Sequence, residues 1–295
     1  MLLLQELADL YNKYSQLSHI PVRPIVIGHA EFTSEAGPII MGTVNLSRDS
    51  TYRESIAINT ETAVKKSRIA FAQGAALIDI GAESSTAKAS RVSALDQART
   101  LVPIIEQLTE LNIPVSIETY EPEVAKAGLQ AGARVVNFTG AEHEKEIFEL
   151  VASTDASIIL CYVGGTNVRE ITDLTIDVDP IPQLLEYFGK RVETATSCGV
   201  TNIILDPGMG FYYGNLVDPM VRVRHQSKVI LNSFRLRELG LPICQALPHA
   251  FDLFGDEFRT AEGFFAVVAQ LGGVNLMRTH EVSRVHAAVN AMQSL

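Results

Sequence analysis

The sequence predicts an α/β protein, a single (β/α)₈ TIM barrel preceded by a short N-terminal helical extension. Three observations predict this fold. Short apolar runs ending in polar residues alternate about eight times with helix-length segments, as βαβ units do. The runs ALIDI and NIILD are almost unbroken in apolar residues, which is typical of parallel strands covered on both faces. The 295 residues exceed the about 250 that one barrel needs, so a barrel with an extension fits the length.

The predicted strands and helices follow one another in order along the chain. We place strands at 38–44, 76–80, 115–118, 135–137, 157–161, 202–206, 242–245 and 275–278. Helical patterns between them include 59–73, 92–111, 122–131, 181–199 and 215–239. The alternative is an open doubly wound sheet. Such a sheet normally has a glycine-rich turn after its first strand, and no such turn follows Val44.

Residues 1–36 form the predicted extension, and residues 37–295 form the predicted barrel. The first segment, MLLLQELADLYNKYSQL, has Glu6 and Asp9 among its leucines, which indicates an amphipathic helix and not a signal peptide. A linker with Pro21 and Pro24 and a strand follow, and this extension could close the bottom of the barrel. No apolar stretch approaches the ~18 residues of a membrane span, so we expect no membrane partner.

The charge and the cysteines exclude further classes of protein. A net charge of −10 argues against a nucleic-acid partner, because phosphate backbones are bound by clustered Lys and Arg. Cys161, Cys198 and Cys244 cannot all pair, and their spacing is not that of a metal site. Unpaired cysteines of this kind indicate a reducing compartment, so we expect a cytoplasmic protein.

Polar residues stand at the ends of nearly all predicted strands. In a barrel these C-terminal ends meet at one rim, where barrel enzymes have their active sites. Any one such residue could simply cap a helix, as is plausible for Thr119. A set of seven ends is better explained by a site, because a buried carboxylate costs several kcal/mol unless a ligand, a cation or backbone donors satisfy it. The ends are Asn45, Asp79, Glu118 with Thr119, Asn137, Tyr162, Asp206, and Arg278 with His280.

The residue types divide into two sets with different chemistry. Glu118, Asn137 and Asp206 suit a flat heterocycle with an amidine-like edge, because a carboxylate accepts parallel N–H donors and an amide both donates and accepts. Arg278, His280 and Asn45 are a donor set suited to phosphate, and phosphate sites late in the barrel are common in this fold.

At these residues the chain resembles the dihydropteroate synthase family of pterin-binding barrels. The resemblance runs in family order from residue 38 to the C-terminus, and each block would be weak alone. The segment PIIMGTVNLSRDS is similar to the family's MGILNVTPDSF, and the segment ALIDIGAESS is similar to its IIDIGGEST. The block that begins with VSIETY and ends with RVVN is similar to the family block that begins with SIDTY and ends with IIND. NIILDPGMGF is similar to IILDPGIGF, and MRTHEV to VRVHDV.

The resemblance implies that the enzyme joins a hydroxymethyl-dihydropterin diphosphate to p-aminobenzoate and releases pyrophosphate. It implies pterin binding by Asp79, Asn137 and Asp206, with Glu118 where the family has Asp. Asn45, Arg278 and His280 would bind the diphosphate. Asn45, Asp49, Arg278 and His280 are the implied catalytic residues. Mg²⁺ is implied near Asn45, and a homodimer is the common family assembly.

The chain departs from the family mainly where the family binds the amine. The seventh family strand normally ends in Ser-Arg-Lys-Ser, whose Lys contacts the pterin, and here it is ICQALPHAFDLFG. His249 could replace that Lys in part, or be a rim residue with no role in catalysis. Further changes fall at 47–48, 51–55, 85–88, Phe138, and Cys161 with Tyr162. The loops gain Arg48, Arg53, Lys88 and Arg91, either for an anionic second substrate or as solvated charges.

Three functions remain open from the sequence. The leading hypothesis is the synthase-like transfer, with p-aminobenzoate or an altered nucleophile. Another is methyl transfer from a methylated folate, which needs no strand-seven Lys but would leave the diphosphate set without a ligand. The remaining hypothesis is a non-catalytic pterin-binding protein with an intact deep pocket and altered loops.

Overall fold

The computed structural model describes residues 3–47, 52, 56–84, 90–170, 179–210, 216 and 218–295. The segment predicted as an N-terminal extension contains helix α1, Leu4–Ser18, and a hairpin of strands β1, Ile25–Ile27, and β2, Ala30–Phe32. The two strands pair antiparallel, with Ile25 opposite Phe32. Within the described ranges, no helix is both long enough and apolar enough to cross a bilayer.

Eight parallel strands form the barrel predicted from the sequence. Their order around the barrel follows the chain: β3 Ile39–Asn45, β4 Leu77–Gly81, β5 Val115–Thr119, β6 Val135–Phe138, β7 Ser157–Cys161, β8 Ile203–Asp206, β9 Cys244–Ala246 and β10 Leu276–Thr279. β10 pairs with β3, and a parallel bridge between Leu205 and Ile243 joins β8 to β9. The strand predictions are confirmed, and the open-sheet alternative is wrong because the ring closes.

Helices cover the outside of the barrel. They are α2 Thr60–Ala72, α3 Ala94–Glu110, α4 Pro122–Ala131, α5 Glu144–Ala152, α6 Ile181–Ser197, α7 Pro219–Asn232, α8 Phe251–Phe254, α9 Ala261–Leu271 and α10 Val282–Gln293, with short 3₁₀ segments at Ser34–Ala36, Ser233–Leu239 and Gly255–Thr260. α7 begins where Asp218 accepts hydrogen bonds from the backbone of Met220 and Val221, a typical helix cap. The helix expected at 215–239 therefore starts later and ends in a 3₁₀ segment.

Two separate apolar cores hold this architecture together. The larger core lies between the strands and the surrounding helices. The smaller core includes side chains from barrel strands, with Ile25 and Ile27 of the hairpin among them. Ser157 at the start of β7 also donates a hydrogen bond to the carbonyl of Val26. The hairpin thus packs at the N-terminal ends of the strands, and the opposite end of the barrel is left for the polar residues.

Candidate active site

The polar strand ends meet at the C-terminal mouth of the barrel. Parallel register places Asp79 beside Ser116, Glu118 beside Asn137, and Cys161 beside Asp206. Arg278 comes from β10, and Asn45 and His280 meet beside it, with the Asn45 amide nitrogen 3.3 Å from His280 Nε2. Asp49, the remaining predicted site residue, lies outside the described residues.

Asp79 is the centre of the inner part of the site. Its buried carboxylate accepts hydrogen bonds from Ser116 Oγ at 2.6 Å, Asn137 Nδ2 at 3.2 Å and Arg278 Nε at 2.7 Å. The other end of the Arg278 guanidinium donates to Glu118 through Nη2. Despite burial, the charges of Glu118 and Asp79 hold the pKa of Arg278 above its ordinary value. Arg278 therefore joins the residues predicted for the pterin to those predicted for the diphosphate.

Two further carboxyl groups of the mouth bind protons more tightly than usual. Burial raises the pKa of Glu118 to about 7, and the charge of Arg278 opposes the shift. Burial raises the pKa of Asp206 to about 6, and the backbone N–H of Gly208, 2.8 Å from Asp206 Oδ1, opposes it. Gly208 has a φ of 76°, which is a conformation that favours glycine and lets its N–H turn back to the carboxylate. Both groups can change protonation state near neutral pH.

Two cysteine thiols belong to the site, which the sequence analysis did not predict. Cys161 donates from Sγ to Asn137 Oδ1 at 3.2 Å, so the Asn137 amide is held on both sides. Cys244 lies close enough to Asp206 for the charge of that carboxylate to act on its thiol. Burial raises the pKa of both thiols well above the ordinary value. The sequence could have indicated both cysteines, because each lies on a predicted barrel strand and Cys161 is the last residue of its strand. Side chains along a strand alternate between the larger core and the barrel interior.

The outer part of the site is built around a second buried carboxylate, that of Glu262. His249 Nδ1 and His280 Nδ1 lie 2.8 and 3.2 Å from Glu262 Oε1. Tyr52 stacks on His280 with ring centroids 4.6 Å apart and donates a 2.6 Å hydrogen bond to Glu281. Burial lowers the pKa of His280 to about 4, so it is neutral at pH 7. His249 thus lies beside His280, one of the residues predicted for the diphosphate, with ring centroids 4.8 Å apart.

Other positions considered in the sequence have structural partners. Thr119 accepts a hydrogen bond from the backbone of Glu121 in the turn before α4, and it does not cap that helix, whose N-cap residue is Glu121. Phe138 is fully buried and packs edge-on against Phe148, so it is part of the larger core between strands and helices. Arg91 is about half exposed and pairs with Glu170 at 2.6 Å. Arg48, Arg53 and Lys88 lie outside the described residues.

The mouth presents hydrogen-bond acceptors and an amide at its inner end, which suit a flat polar ring, and donors at its outer end, which suit an anion. Glu118, Asn137 and Asp206 offer acceptors and an amide to a ring edge. Arg278 is fixed by hydrogen bonds from Nε to Asp79 and from Nη2 to Glu118, so the Nη1 donors of its guanidinium are directed away from these two carboxylates. In the part of the chain that the structure describes, the group with the side chains and spacing of a metal site is His249, Glu262 and His280.

Comparison with known proteins places this site in a family. The family model described as "Pterin binding enzyme" matches residues 41–280. The dihydropteroate synthase of Synechocystis is 31% identical over 284 residues, covering 92% of this chain and 94% of that protein. The dihydropteroate synthase of Bacillus subtilis is 26% identical over 291 residues, covering 95% and 94%.

Solved structures give the same fold. The Xanthomonas albilineans dihydropteroate synthase with 4-aminobenzoic acid has a TM-score of 0.77 at 25% identity, covering 92% of this chain and 98% of that one. The Thermus thermophilus dihydropteroate synthase in complex with 4-aminobenzoate has a TM-score of 0.78 at 22% identity, with 92% and 100% coverage, and supports the fold alone. The chain belongs to the pterin-binding enzyme family.

Proposed function

We propose that this protein is a dihydropteroate-synthase-type transferase. It joins a hydroxymethyl-dihydropterin diphosphate to an aromatic amine and releases pyrophosphate. The observation that carries the proposal is the Asp79 network, in which one buried carboxylate aligns Arg278 and Asn137 at the barrel mouth. The dihydropteroate synthases of Synechocystis and Bacillus subtilis, which align over nearly the whole chain, support the same activity.

The pterin is proposed to bind in the inner part of the mouth. Glu118 and Asp206 accept N–H groups of the ring, and Asn137 both donates and accepts. Asp79 holds Asn137 and Arg278 in position. Ionised Glu118 and Asp206 are the better acceptors, and a ring that donates to them stabilises their charged forms against burial.

The diphosphate is proposed to bind in the outer part, at Asn45, Arg278 and His280. The amine nitrogen attacks the pterin methylene carbon while the bond from that carbon to the diphosphate oxygen breaks. The diphosphate leaves with the bonding electron pair, and the amine loses a proton to solvent. Arg278 neutralises charge that develops on the leaving group, and the fixed geometry supplies the orientation. Asp49 is proposed to act in the same step.

Mg²⁺ is proposed to enter this site with the diphosphate. Mg²⁺ takes oxygen ligands, and it is commonly bound by one or two protein groups together with substrate phosphates and water. Asn45 offers an amide oxygen that fits this role, while its neighbour His280 offers nitrogen. We also propose a homodimer, as the family resemblance implies, and a cytoplasmic location, which the free Cys161, Cys198 and Cys244 support.

The sequence departs from the family mainly in the segments where the family binds the amine substrate. We propose that His249 takes over part of the role of the family's strand-seven Lys, and its Nδ1 atom lies 2.8 Å from Glu262 Oε1. p-Aminobenzoate is proposed as the nucleophile, and a different aromatic amine is the alternative that the altered loops favour.

The test measures pyrophosphate release from hydroxymethyl-dihydropterin diphosphate with Mg²⁺, with and without p-aminobenzoate, together with a calorimetric titration of the pterin. We expect release that depends on the amine, and loss of pterin binding in Asn137→Ala but not in the exposed control Asn290→Ala. Binding without release for any aromatic amine would contradict the transferase and favour a non-catalytic protein. Methyl transfer from methyltetrahydrofolate would favour the methyltransferase alternative.

A further inference from the structure

Three side chains at the outer part of the mouth form a cluster of which the proposed reaction uses only His280, as a ligand of the diphosphate. His249 follows β9, Glu262 lies in the first turn of α9, and His280 follows β10. One ligand atom from each lies within 4.8 Å of the other two. Glu262 is completely buried, and the side chains of His249 and His280 are 22% and 8% exposed. The cluster is thus nearly enclosed, with His249 as its most accessible member.

Glu262 is fixed in place by the backbone around it. Its Oε2 atom accepts hydrogen bonds from the backbone N–H groups of His280 at 2.8 Å and Glu281 at 3.1 Å. The hydroxyl of Thr279 donates to the same oxygen. The other oxygen, Oε1, therefore faces the two imidazoles. Among the described residues, the basic side chains within ion-pair distance of Glu262 are His249 and His280.

The two imidazoles and the carboxylate are a ligand set for a divalent transition metal. Two His nitrogens and one Glu oxygen, with an open fourth position, occur in catalytic zinc sites. Imidazole also favours metals such as Zn²⁺ over Mg²⁺, which prefers oxygen. Tetrahedral Zn²⁺ with ligands at about 2.1 Å needs ligand atoms about 3.4 Å apart. The two nitrogen–oxygen separations in the structure, 2.8 and 3.2 Å, are close to that value, and all three ligand atoms lie within 4.8 Å of one another.

The surroundings supply the outer contacts that metal-binding histidines usually have. A histidine that binds a metal through one nitrogen commonly hydrogen-bonds through the other. His280 Nε2 lies 3.3 Å from the Asn45 amide, and rotating that amide presents its oxygen to an Nε2–H donor. Tyr52 packs against both rings, at centroid distances of 4.9 Å to His249 and 4.6 Å to His280. These contacts restrict both rings to orientations near Glu262.

We propose that His249, Glu262 and His280 bind one divalent transition-metal ion of the Zn²⁺ type, whose open position takes an oxygen of the diphosphate. The ion supplies positive charge close to where the family's strand-seven Lys would stand. Metal binding by the three side chains is independent of the proposed function, and only the assignment of the fourth ligand rests on it.

Binding of Zn²⁺ itself tests the site. Protein freed of metal with a chelator is titrated with Zn²⁺ by calorimetry, and bound metal is counted after gel filtration. We expect about one Zn²⁺ per chain and at least tenfold weaker binding in His249→Ala and in Glu262→Gln. The exposed histidine variant His29→Gln is the matched control and should bind like the wild type. His249→Ala keeps the hydrogen bonds from the backbone to Glu262, so this variant tests the metal site even if Glu262→Gln does not fold.

A second readout uses Co²⁺ in place of Zn²⁺. Visible absorption typical of a tetrahedral Co²⁺ site should appear in the wild type, change when pyrophosphate is added, and be absent in His249→Ala. Zn²⁺ affinity that is the same in the wild type and His249→Ala would overturn the site. A Co²⁺ spectrum that pyrophosphate leaves unchanged would overturn the fourth ligand.

The inference and the proposed function can fail separately. Full pyrophosphate release by chelator-treated protein with Mg²⁺ alone, and no specific Zn²⁺ binding, would overturn the metal site while leaving the transferase intact. Stoichiometric Zn²⁺ binding that His249→Ala abolishes, in a protein that releases no pyrophosphate, would support the metal site and count against the transferase.

Discussion

Arg278 Nε, on the last strand of the barrel, lies 2.7 Å from Asp79 Oδ2 on the second barrel strand. Asp79 is fully buried, and the Arg278 side chain is 16% exposed, so the contact lies at the floor of the mouth. The pair fixes the direction of the guanidinium before any substrate binds. Prior orientation of this kind lets a cation stabilise a leaving group without reorganisation during the reaction.

Removing the charge of Asp79 should therefore destabilise the protein. Asp79→Asn leaves Arg278 with one carboxylate partner fewer, and breaking one side of a buried ion pair costs about 3–5 kcal/mol. We expect a fall of that size in the free energy of unfolding, measured by urea denaturation. Asp218→Asn, at the exposed cap of α7, is the control and should change little, because Asn caps helices as well as Asp. Equal stability of Asp79→Asn and the wild type would contradict the account.

The raised pKa of Glu118 predicts the sign of a pH effect. The group has an ordinary pKa of 4.5 and a folded-state pKa of about 7, so between these values the folded chain binds more protons than the unfolded chain. Its contribution to stability is present below the lower value and is lost as the pH rises through the upper one, at about 1.4 kcal/mol per pKa unit. Asp206, at about 6, acts in the same direction.

The corresponding measurement is the free energy of unfolding between about pH 5 and about pH 8. Glu118→Gln should reduce its decline with rising pH, because the substituted amide does not titrate. Glu123→Gln on α4 is the control, since Glu123 lies in the first turn of a surface helix. A slope that Glu118→Gln leaves unchanged would show that Glu118 is ionised throughout this range.

Much of the inner part of the site could be predicted from the sequence. Polar residues at the C-terminal ends of parallel barrel strands converge at one rim, independently of the segments that connect the strands. Asp79, Glu118 and Asn137 were predicted in this way. Ser116 could also have been predicted, since it lies two residues before Glu118 and side chains of a strand alternate between faces. The mutual contacts needed the structure, since the barrel register decides that Asp79 meets Ser116.

The outer site could not be predicted in the same way. Glu262 lies in a helix, 18 residues before His280, and an acidic residue in the first turn of a helix normally faces solvent. Tyr52 comes from a loop, where no periodicity indicates which way a side chain points. From the sequence, His249 was either a partial replacement of a lysine or a rim residue with no role in catalysis. Its contact with Glu262 depends on how α9 packs against the barrel.

Thiol chemistry should distinguish the three cysteines. Cys161 and Cys244 are buried with a raised pKa, so the reactive thiolate is scarce, while Cys198 is half-buried. We expect iodoacetamide to modify Cys198 first in the native protein, with Cys198→Ser unreactive until denaturant is added. Mass spectrometry of digested protein gives the site of modification. Rapid labelling of Cys161 in the native state would mean that the mouth opens far more often than the structure implies.

The hairpin at the bottom of the barrel should contribute to stability without affecting the site. Ile27 is 4% exposed and belongs to the smaller core, and truncating such a side chain to Ala costs about 2–5 kcal/mol. Ile27→Ala should lower the free energy of unfolding by that amount and leave pterin affinity unchanged at temperatures where it is folded. Ile58→Ala is the matched control, because Ile58 is 69% exposed. Equal stability of the two variants would show that the hairpin is not part of the core.

Sulfonamides should inhibit this protein weakly, because they imitate the amine substrate of the family and the chain differs from the family at that part of the mouth. The segment ICQALPHAFDLFG has no Lys, and the Nδ1 atom of its His249 lies 2.8 Å from Glu262 Oε1, so that imidazole already has a carboxylate partner. Inhibition of pyrophosphate release should be at least about tenfold weaker than for the Bacillus subtilis synthase, or about 1.4 kcal/mol in binding. In chelator-treated protein, His249→Lys should recover part of this affinity and His29→Lys should not. Inhibition of the wild type as strong as that of the Bacillus subtilis enzyme would mean that other residues of the mouth provide the amine pocket.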